Sequence, residues 1–222
     1  MAATARRRYT RGLPDSGQTM DLLERATLLQ YHRHRIAEYG GDAVQALGWR
    51  HADSQRLRFE AIAAAADFSH GSVLDVCCGT GDLLPFLRGR FQDFDYLGID
   101  QMPEFIATAR QRHGDVPRAQ FEIGSCFRMD LPLADHVVAS GALGYRSADP
   151  GFVFDAIRRL HAAARHTLVF NVLDAAHFTH DHPLLVGRDV AEVEAFCRSL
   201  PGEVEVVRGY AVDDATVVLR RT

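Results

Sequence analysis

Apolar residues recur at spacings of three and four along 19–39: Leu22, Leu23, Ala26, Leu29, Ile36 and Tyr39. That period predicts an α-helix with one buried stripe. Thr19 is the candidate N-cap, Asp21 falls in the first turn, and Gly40-Gly41 end the pattern. After a short segment over 42–49, a stripe of Leu57, Phe59, Ile62 and Ala63 predicts a second helix over 53–66, capped by Asp53. From residue 72 the period changes. Short apolar runs at 72–77, 94–99, 136–139 and 167–172 read as strands, as does 119–123. Helix-forming stretches follow at 81–89, 103–112, 149–164 and 187–200. Pro103 suits a first helical turn, and Asp149 as N-cap with Pro150 behind it opens the helix whose Phe152, Phe154, Ile157 and Leu160 face inward. The last two strands, 203–208 and 216–220, alternate and are β-branched, so they are expected to pair antiparallel. Strands alternating with helices predict an α/β fold, doubly wound, with a mostly parallel seven-stranded sheet. The N-terminal helical preface exceeds what the sheet needs and is read as a cap.

Composition narrows this picture. A chain of 222 residues suffices for one core and a small accessory element. We divide it into a flexible arm and helical cap over 1–70 and a sheet domain over 71–222. With 47% hydrophobic and 24% charged residues it has the mix of a soluble globule. A net charge of −4 argues against nucleic acid as a partner held by phosphate neutralisation. Arg6, Arg7, Arg8 and Arg11 are read as a solvated arm, with no apolar core behind them of the kind a secretory signal needs. No apolar run reaches the length of a membrane span, so no membrane partner is expected. Cys77, Cys78, Cys126 and Cys197 show no CxxC spacing, which reads as reduced, cytoplasmic usage.

Three features fall at the carboxyl ends of consecutive strands, where open α/β sheets bind ligands. The first is the turn after the 72–77 run, with Asp75 inside the strand and Gly79, Gly81 and Asp82 beyond it. A carboxylate within an apolar run is costly without partners, and the glycines let backbone approach a ligand. The second is Asp100, 21 residues after Gly79, able to accept both hydroxyls of a ribose side by side. The third is Gly124-Ser125-Cys126-Phe127. The glycine run is GTGD, with an acidic residue where a dinucleotide fold has its third glycine. That residue suits a pyrophosphate poorly. A cofactor with a ribose, an adenine and a cationic or zwitterionic tail fits better.

In this order the motifs resemble the class I S-adenosylmethionine-dependent methyltransferases. VLDVCCGTGDLL is similar to their first motif, LGIDQMPEFIATAR to their second, and GSCFRMDLP with ADHVVASGAL to the adenine loop and fourth strand. GYAVDDATVVLRR resembles their terminal hairpin, which implies an antiparallel last strand. A bacterial subgroup with a helical preface is also similar, through Ala46-Leu47-Gly48-Trp49, Gln55–Ile62, Ser140-Gly141 and Phe170-Asn171-Val172-Leu173. The resemblance makes 71–222 a methyltransferase domain and implies S-adenosyl-L-methionine as cofactor, with S-adenosyl-L-homocysteine as product. It implies cofactor contacts from Asp75, Cys77, Gly79, Gly81, Asp82, Asp100, Gln101, Ser125, Cys126, Phe127 and Ser140. Many relatives carry an acidic residue where Ser125-Cys126 stands, so backbone amides or the Cys126 and Phe127 side chains are expected to take that contact.

The acceptor side is less marked. His177, His180 and His182, with Asp174 and Asp181, crowd the loop after the fifth strand. Such a cluster is open to three readings: a polar loop, a base or substrate contact, and a metal site. Direct methyl transfer needs alignment and at times a base, and no metal. Tyr145, His177 and His180 are the catalytic candidates, and no metal is expected. Tyr31, Arg35, Tyr39, Trp49 and Arg58 of the cap, which stand in one group with His32 and Gln55, are the candidate substrate contacts together with Tyr145 and Arg146. Ser140-Gly141-Ala142 lacks the NPPY or DPPY sequence of enzymes that methylate base amino groups. The expected function is methyl transfer to an O or N atom of a small molecule by a monomer or homodimer. An RNA or protein methyltransferase and a non-catalytic cofactor-binding subunit are the alternatives.

Overall fold

The computed structural model describes residues 21–179 and 181–222. The expected arm over 1–17 and Thr19 lie outside them. Helices α1 (Leu22–Tyr39) and α2 (Ala52–Ala65) precede β1 (Ser72–Val76), α3 (Leu83–Arg88), β2 (Asp95–Asp100), α4 (Pro103–His113) and β3 (Ala119–Ile123). There follow β4 (Ala134–Ala139), α5 (Phe152–Ala163), β5 (Ala164–Leu173), α6 (Val190–Arg198), β6 (Glu203–Val207) and β7 (Asp214–Arg220). The seven strands lie in the order β3-β2-β1-β4-β5-β7-β6. All are parallel except β7, which runs antiparallel to both β5 and β6.

Each face of the sheet carries its own apolar layer. Leu74, Val76, Val137 and Phe170 pack with Phe152, Val153, Ile157 and Leu160 of α5. Val73, Tyr96, Val138 and Val218 pack with Ile62 of α2, Leu84 of α3 and Ile106 of α4. Helix α1 gives only Leu28 to these layers. It lies across the carboxyl ends of the strands, where Leu29, Ile36 and Leu47 meet Met102 and Phe105 at the start of α4. Glu24 accepts from Ser147 Oγ at 3.1 Å and from the Ala148 amide at 2.6 Å, and Arg33 Nε donates to Glu104 at 2.7 Å. These bonds hold the helix over the loop that follows β4 and the first turn of α4.

Helix starts differ from the sequence reading in instructive ways. The N-cap of α1 is Asp21, which exchanges capping-box bonds with Glu24. His51, not Asp53, caps α2. Helix α5 begins at Phe152, because the Asp149 carboxylate turns back to the Gly151 amide at 2.8 Å instead of capping a longer helix. Strand β7 begins at Asp214, two residues before the expected start, because its carboxylate is held by Arg58 of α2.

Candidate active site

A cavity of about 550 Å³ opens between α1, α2 and the carboxyl ends of β1, β2, β4 and β5. Its floor is the turn after β1. Cys77 and Gly79 take positive φ, 60° and 56°, which folds the chain sharply back over the strand end. The turn is pinned from β2. Asp100, 7% exposed, accepts from the Gly79 amide at 2.9 Å on one oxygen and from the Met102 amide at 2.8 Å on the other, with the Gln101 amide also turned to it. A carboxylate oxygen holds two lone pairs, so each keeps capacity for another donor. Burial raises the Asp100 carboxyl to about 6, against the pull of its amide bonds.

Asp75 lies deeper, its carboxylate accepting from the Tyr96 hydroxyl. Burial lifts it to about 7, with the Tyr96 bond opposing and Asp100 and Asp82 adding to the rise. The folded value exceeds the unfolded one near 4, so between them the folded chain keeps a proton that the unfolded chain has lost. The contribution of Asp75 to stability therefore falls as pH rises from about 4 to about 7. Asp75→Asn, which cannot ionise, is expected to gain stability over the unsubstituted chain, by roughly 2–3 kcal/mol more at pH 8 than at pH 5. Urea unfolding at the two pH values checks this.

Ser140, Gly141 and Asn171 form the opposite wall. The Asn171 side-chain oxygen accepts from the Gly141 amide at 2.7 Å. Its Nδ2 and the Ser140 hydroxyl have no hydrogen-bond partner in the protein. Two donors left open beside a cavity mark it as built for polar atoms of a ligand. The cap closes the top. A Cβ on Gly79 would lie 2.6 Å from Leu47 Cδ2, and one on Gly141, at φ 70°, 2.6 Å from Trp49 Cη2. Leu47 can shift, whereas the indole is rigid. Gly141→Ala is therefore expected to cost roughly 1–3 kcal/mol in thermal unfolding, with Trp49→Leu recovering part of the loss.

Comparisons with known proteins bear on what this site is. The family described as "Methyltransferase domain" matches residues 73–164. The chain is 31% identical over 160 residues to a Mycobacterium tuberculosis protein named as a methyltransferase, across 68% of this chain and 93% of that one. The chain belongs to the class I S-adenosylmethionine-dependent methyltransferases.

The methyltransferase is also 30% identical over 135 residues to a demethylmenaquinone methyltransferase of Deinococcus radiodurans, across 60% of this chain. The aligned region spans about half of that relative's length, 51%. Among solved structures, magnesium protoporphyrin IX methyltransferase from Synechocystis with bound S-adenosylmethionine superposes with a TM-score of 0.65. It is 12% identical, across 94% of this chain and all of that one. The N-methyltransferase NodS of Bradyrhizobium japonicum gives 0.58 at 20% identity, across 76% and 85%. These two likenesses concern the fold.

The cavity of the methyltransferase brings together Asp75, Cys77, Gly79, Asp100, Gln101 and Ser140 with Tyr31, Trp49, Arg58, Tyr145 and His177. Other expected positions point elsewhere. Cys126 and Phe127 turn into the core. The Cys126 sulfur lies 3.6 Å from that of Cys77, and the Phe127 ring meets Phe152 edge-on. The Ser125 carbonyl accepts from the Arg128 and Met129 amides, and none of the three residues lines the cavity. A Cβ on Gly81 would strike Phe121, away from the cavity. Asp82 ties α2 to α4, accepting from Gln55 at 3.2 Å and Arg112 at 2.9 Å.

On the acceptor side, Arg58 is buried and its guanidinium bonds Asp214 at 2.9 and 2.6 Å, so it holds α2 to β7 instead of presenting a charge. Its face lies 4.9 Å over the Trp49 ring. Tyr39 is exposed and stacks with Arg35, which donates to the Gln45 carbonyl. Arg146 donates to the His182 and Leu185 carbonyls at 3.2 and 3.3 Å, as a strut of its own loop. His180 lies outside the described residues. His182 caps the Leu184 and Leu185 amides through Nδ1. Among the described residues, no group of three or more His, Cys, Asp or Glu is placed to hold a metal.

The sequence reading sets His32 in the cap group suited to a substrate, and meets Leu47 and Asn171 only within motifs shared with the bacterial subgroup, with no individual role for any of the three. Asn171 left a signal of the same kind as Asp75, a polar residue inside an apolar strand run. What each of His32 and Leu47 touches depends on where α1 crosses the sheet.

Proposed function

We propose that this methyltransferase transfers the methyl group of S-adenosyl-L-methionine to an oxygen or nitrogen atom of a small molecule. The observation that carries this reading is the cavity itself. It is capped by Leu47 and Trp49, walled by apolar groups such as Phe105, Leu173 and Leu185, and floored by two buried carboxyls. A space of about 550 Å³ suits a small organic molecule better than a polymer.

The residues present fit the methyl donor. The open lone pairs of Asp100 would take ribose hydroxyls. The Gly79 turn lets backbone approach the amino-acid tail, and the unpartnered Ser140 hydroxyl and Asn171 Nδ2 offer donors for its carboxylate. Asp75 and Asp100 set negative charge beneath a cationic sulfonium, which is already a good leaving group. What remains for the protein is to align nucleophile, methyl and sulfur and to exclude water. In this reading residues 1–70 are arm and cap, 71–222 hold the donor, and the protein works in the cytoplasm as a monomer or homodimer.

The test is to incubate the chain with S-adenosylmethionine labelled in its methyl group and, separately, with the small-molecule, RNA and protein fractions of a bacterial extract. Label is expected in the small-molecule fraction. Label confined to RNA or protein would overturn the reading.

A further inference from the structure

One pair of side chains in the cavity has no role in holding the donor. His32, 6% exposed, faces Tyr145 across the space between α1 and the loop after β4. Its Nδ1 is 3.0 Å from the Ala46 carbonyl oxygen and its Nε2 is 2.8 Å from Tyr145 Oη. A carbonyl oxygen only accepts, so Nδ1 carries the proton. In the neutral ring Nε2 then holds a lone pair, and the Tyr145 hydroxyl donates to it. We infer that Tyr145 and His32 form a proton relay that activates the acceptor, and that the acceptor atom is the hydroxyl oxygen of a largely apolar molecule. This rests on the reading of the cavity as the methyl-transfer site.

The geometry leaves Tyr145 ready for the task. Its proton is committed to His32, so the outward lone pairs of Oη are available to a substrate O–H. In the transfer step the acceptor oxygen forms a bond to the methyl carbon, and the methyl–sulfur bond breaks with its electron pair going to sulfur. The acceptor's proton passes to Tyr145 Oη as the tyrosine proton passes to His32 Nε2. The products are a methyl ether, a neutral thioether and an imidazolium, which later yields its proton to water. Positive charge leaves the sulfonium as it appears on His32, so the cavity's net charge is unchanged through the step. Tyr145 is the catalytic residue. His32 is a positioning residue that receives the relayed proton.

The surroundings keep the relay in its starting state. Burial lowers the His32 pKa first of all, the Ala46 bond opposes, and the Arg35 guanidinium on the same helix lowers it further. Burial also raises Tyr145 far above the ordinary phenol value, with Cys77, Asp100 and Tyr31 adding and Arg35 opposing. The ring of His32 is held edge-on by Tyr31 at 5.1 Å and Phe105 at 5.3 Å, so it cannot easily turn its nitrogens over. A relay of this kind is needed by a hydroxyl, whose proton must leave as the bond to carbon forms. A neutral amine presents its lone pair without one. The apolar walls of Trp49, Phe105 and Leu173 favour a phenol or similar hydroxyl on an apolar frame.

The experiment has two arms. In the first, the full chain is labelled with ¹⁵N-histidine and long-range ¹H–¹⁵N spectra are recorded at pH 7.5 without donor. His32, assigned by its loss in His32→Gln, is expected as a neutral ring with its proton on Nδ1. Tyr145→Phe is expected to shift the Nε2 resonance. An Nε2–H tautomer or an imidazolium at this pH overturns the relay. In the second arm, labelled methyl transfer to the extract's small-molecule fraction is measured at saturating donor. Tyr145→Phe and His32→Gln are each expected to slow transfer by about 10²–10⁴-fold while calorimetric affinity for S-adenosylmethionine stays within about threefold. A slowing of less than tenfold, or label recovered on nitrogen, overturns the proposal. Tyr145→Phe keeps the ring and decides the matter if His32→Gln does not fold. Loss of donor binding in the unsubstituted chain would instead fail the methyltransferase reading, and leave the spectral arm to judge the pair.

Discussion

Asp100→Asn is expected to weaken binding of S-adenosylmethionine by about 100-fold at pH 8. The carboxylate oxygens accept from the Gly79 and Met102 amides, one each. An asparagine has one acceptor oxygen, so its NH₂ must face one of those N–H groups, and a buried donor without a partner costs about 1–3 kcal/mol. The ribose hydroxyls would lose one charge-assisted acceptor, worth about 1.5–3 kcal/mol. Part of the first cost falls on the free protein, which leaves about 2.7 kcal/mol on binding, the equivalent of 100-fold. The same residue gives the binding a pH dependence. Asp100 sits at about 6 in the free protein, and the ionised form is the one that accepts two donors and attracts a sulfonium. Below that value a proton must be released to bind, so affinity is expected to fall by up to about tenfold per pH unit. Asp75, at about 7, shifts the onset upward. Calorimetric titrations from pH 5 to 8 check both statements, and Asp100→Asn is expected to flatten the slope that Asp100 supplies.

Arg58→Met is expected to cost roughly 3–5 kcal/mol of stability. Both members of the Arg58–Asp214 pair are buried, and their charged groups meet at 2.6 Å. Tyr210 also donates to Asp214 and shares a 2.7 Å bond with Thr216. Removing the guanidinium alone leaves a buried carboxylate with the tyrosine as partner, and α2 keeps to β7 only the bond from Arg220 to the Ala65 carbonyl and apolar packing. The double variant Arg58→Met, Asp214→Leu removes both charges and is expected to recover most of the loss, since a buried pair is often worth no more than apolar packing. Urea unfolding of the single and double variants separates the two effects. A single variant within 1 kcal/mol of the starting chain, on the order of an exposed pair, would contradict this account of the site's edge.

The order and type of the elements were legible in the sequence because each strand is a short apolar or alternating stretch beside a turn signal. The edge strand β3 keeps the expected bounds, Ala119–Ile123, although it buries only Phe121. Helix starts were harder. A cap is one side-chain bond among several that Asp21, His51 or Asp149 can make, and only the folded chain selects it. The cavity floor was legible for a similar reason. Asp75, Gly79 and Asp100 lie at strand ends, so the topology alone gathers them. The loop after β3 was located correctly, yet the direction of Cys126 and Phe127 depends on packing against Cys77 and Phe152. The relay pair was not legible. His32 and Tyr145 are 113 residues apart, and Arg58 and Asp214 are 156 apart. No local pattern encodes a contact made by laying one helix across the ends of a sheet.

The central claim places the methyl donor on the Asp75–Asp100 floor beneath the α1 cap. Its most direct test is a crystal structure of the chain grown with S-adenosyl-L-homocysteine. The account predicts both ribose hydroxyls within hydrogen-bond distance of the Asp100 carboxylate and the homocysteine tail between the Gly79 turn and Ser140. A ligand bound elsewhere, or a ribose turned away from Asp100, would contradict it.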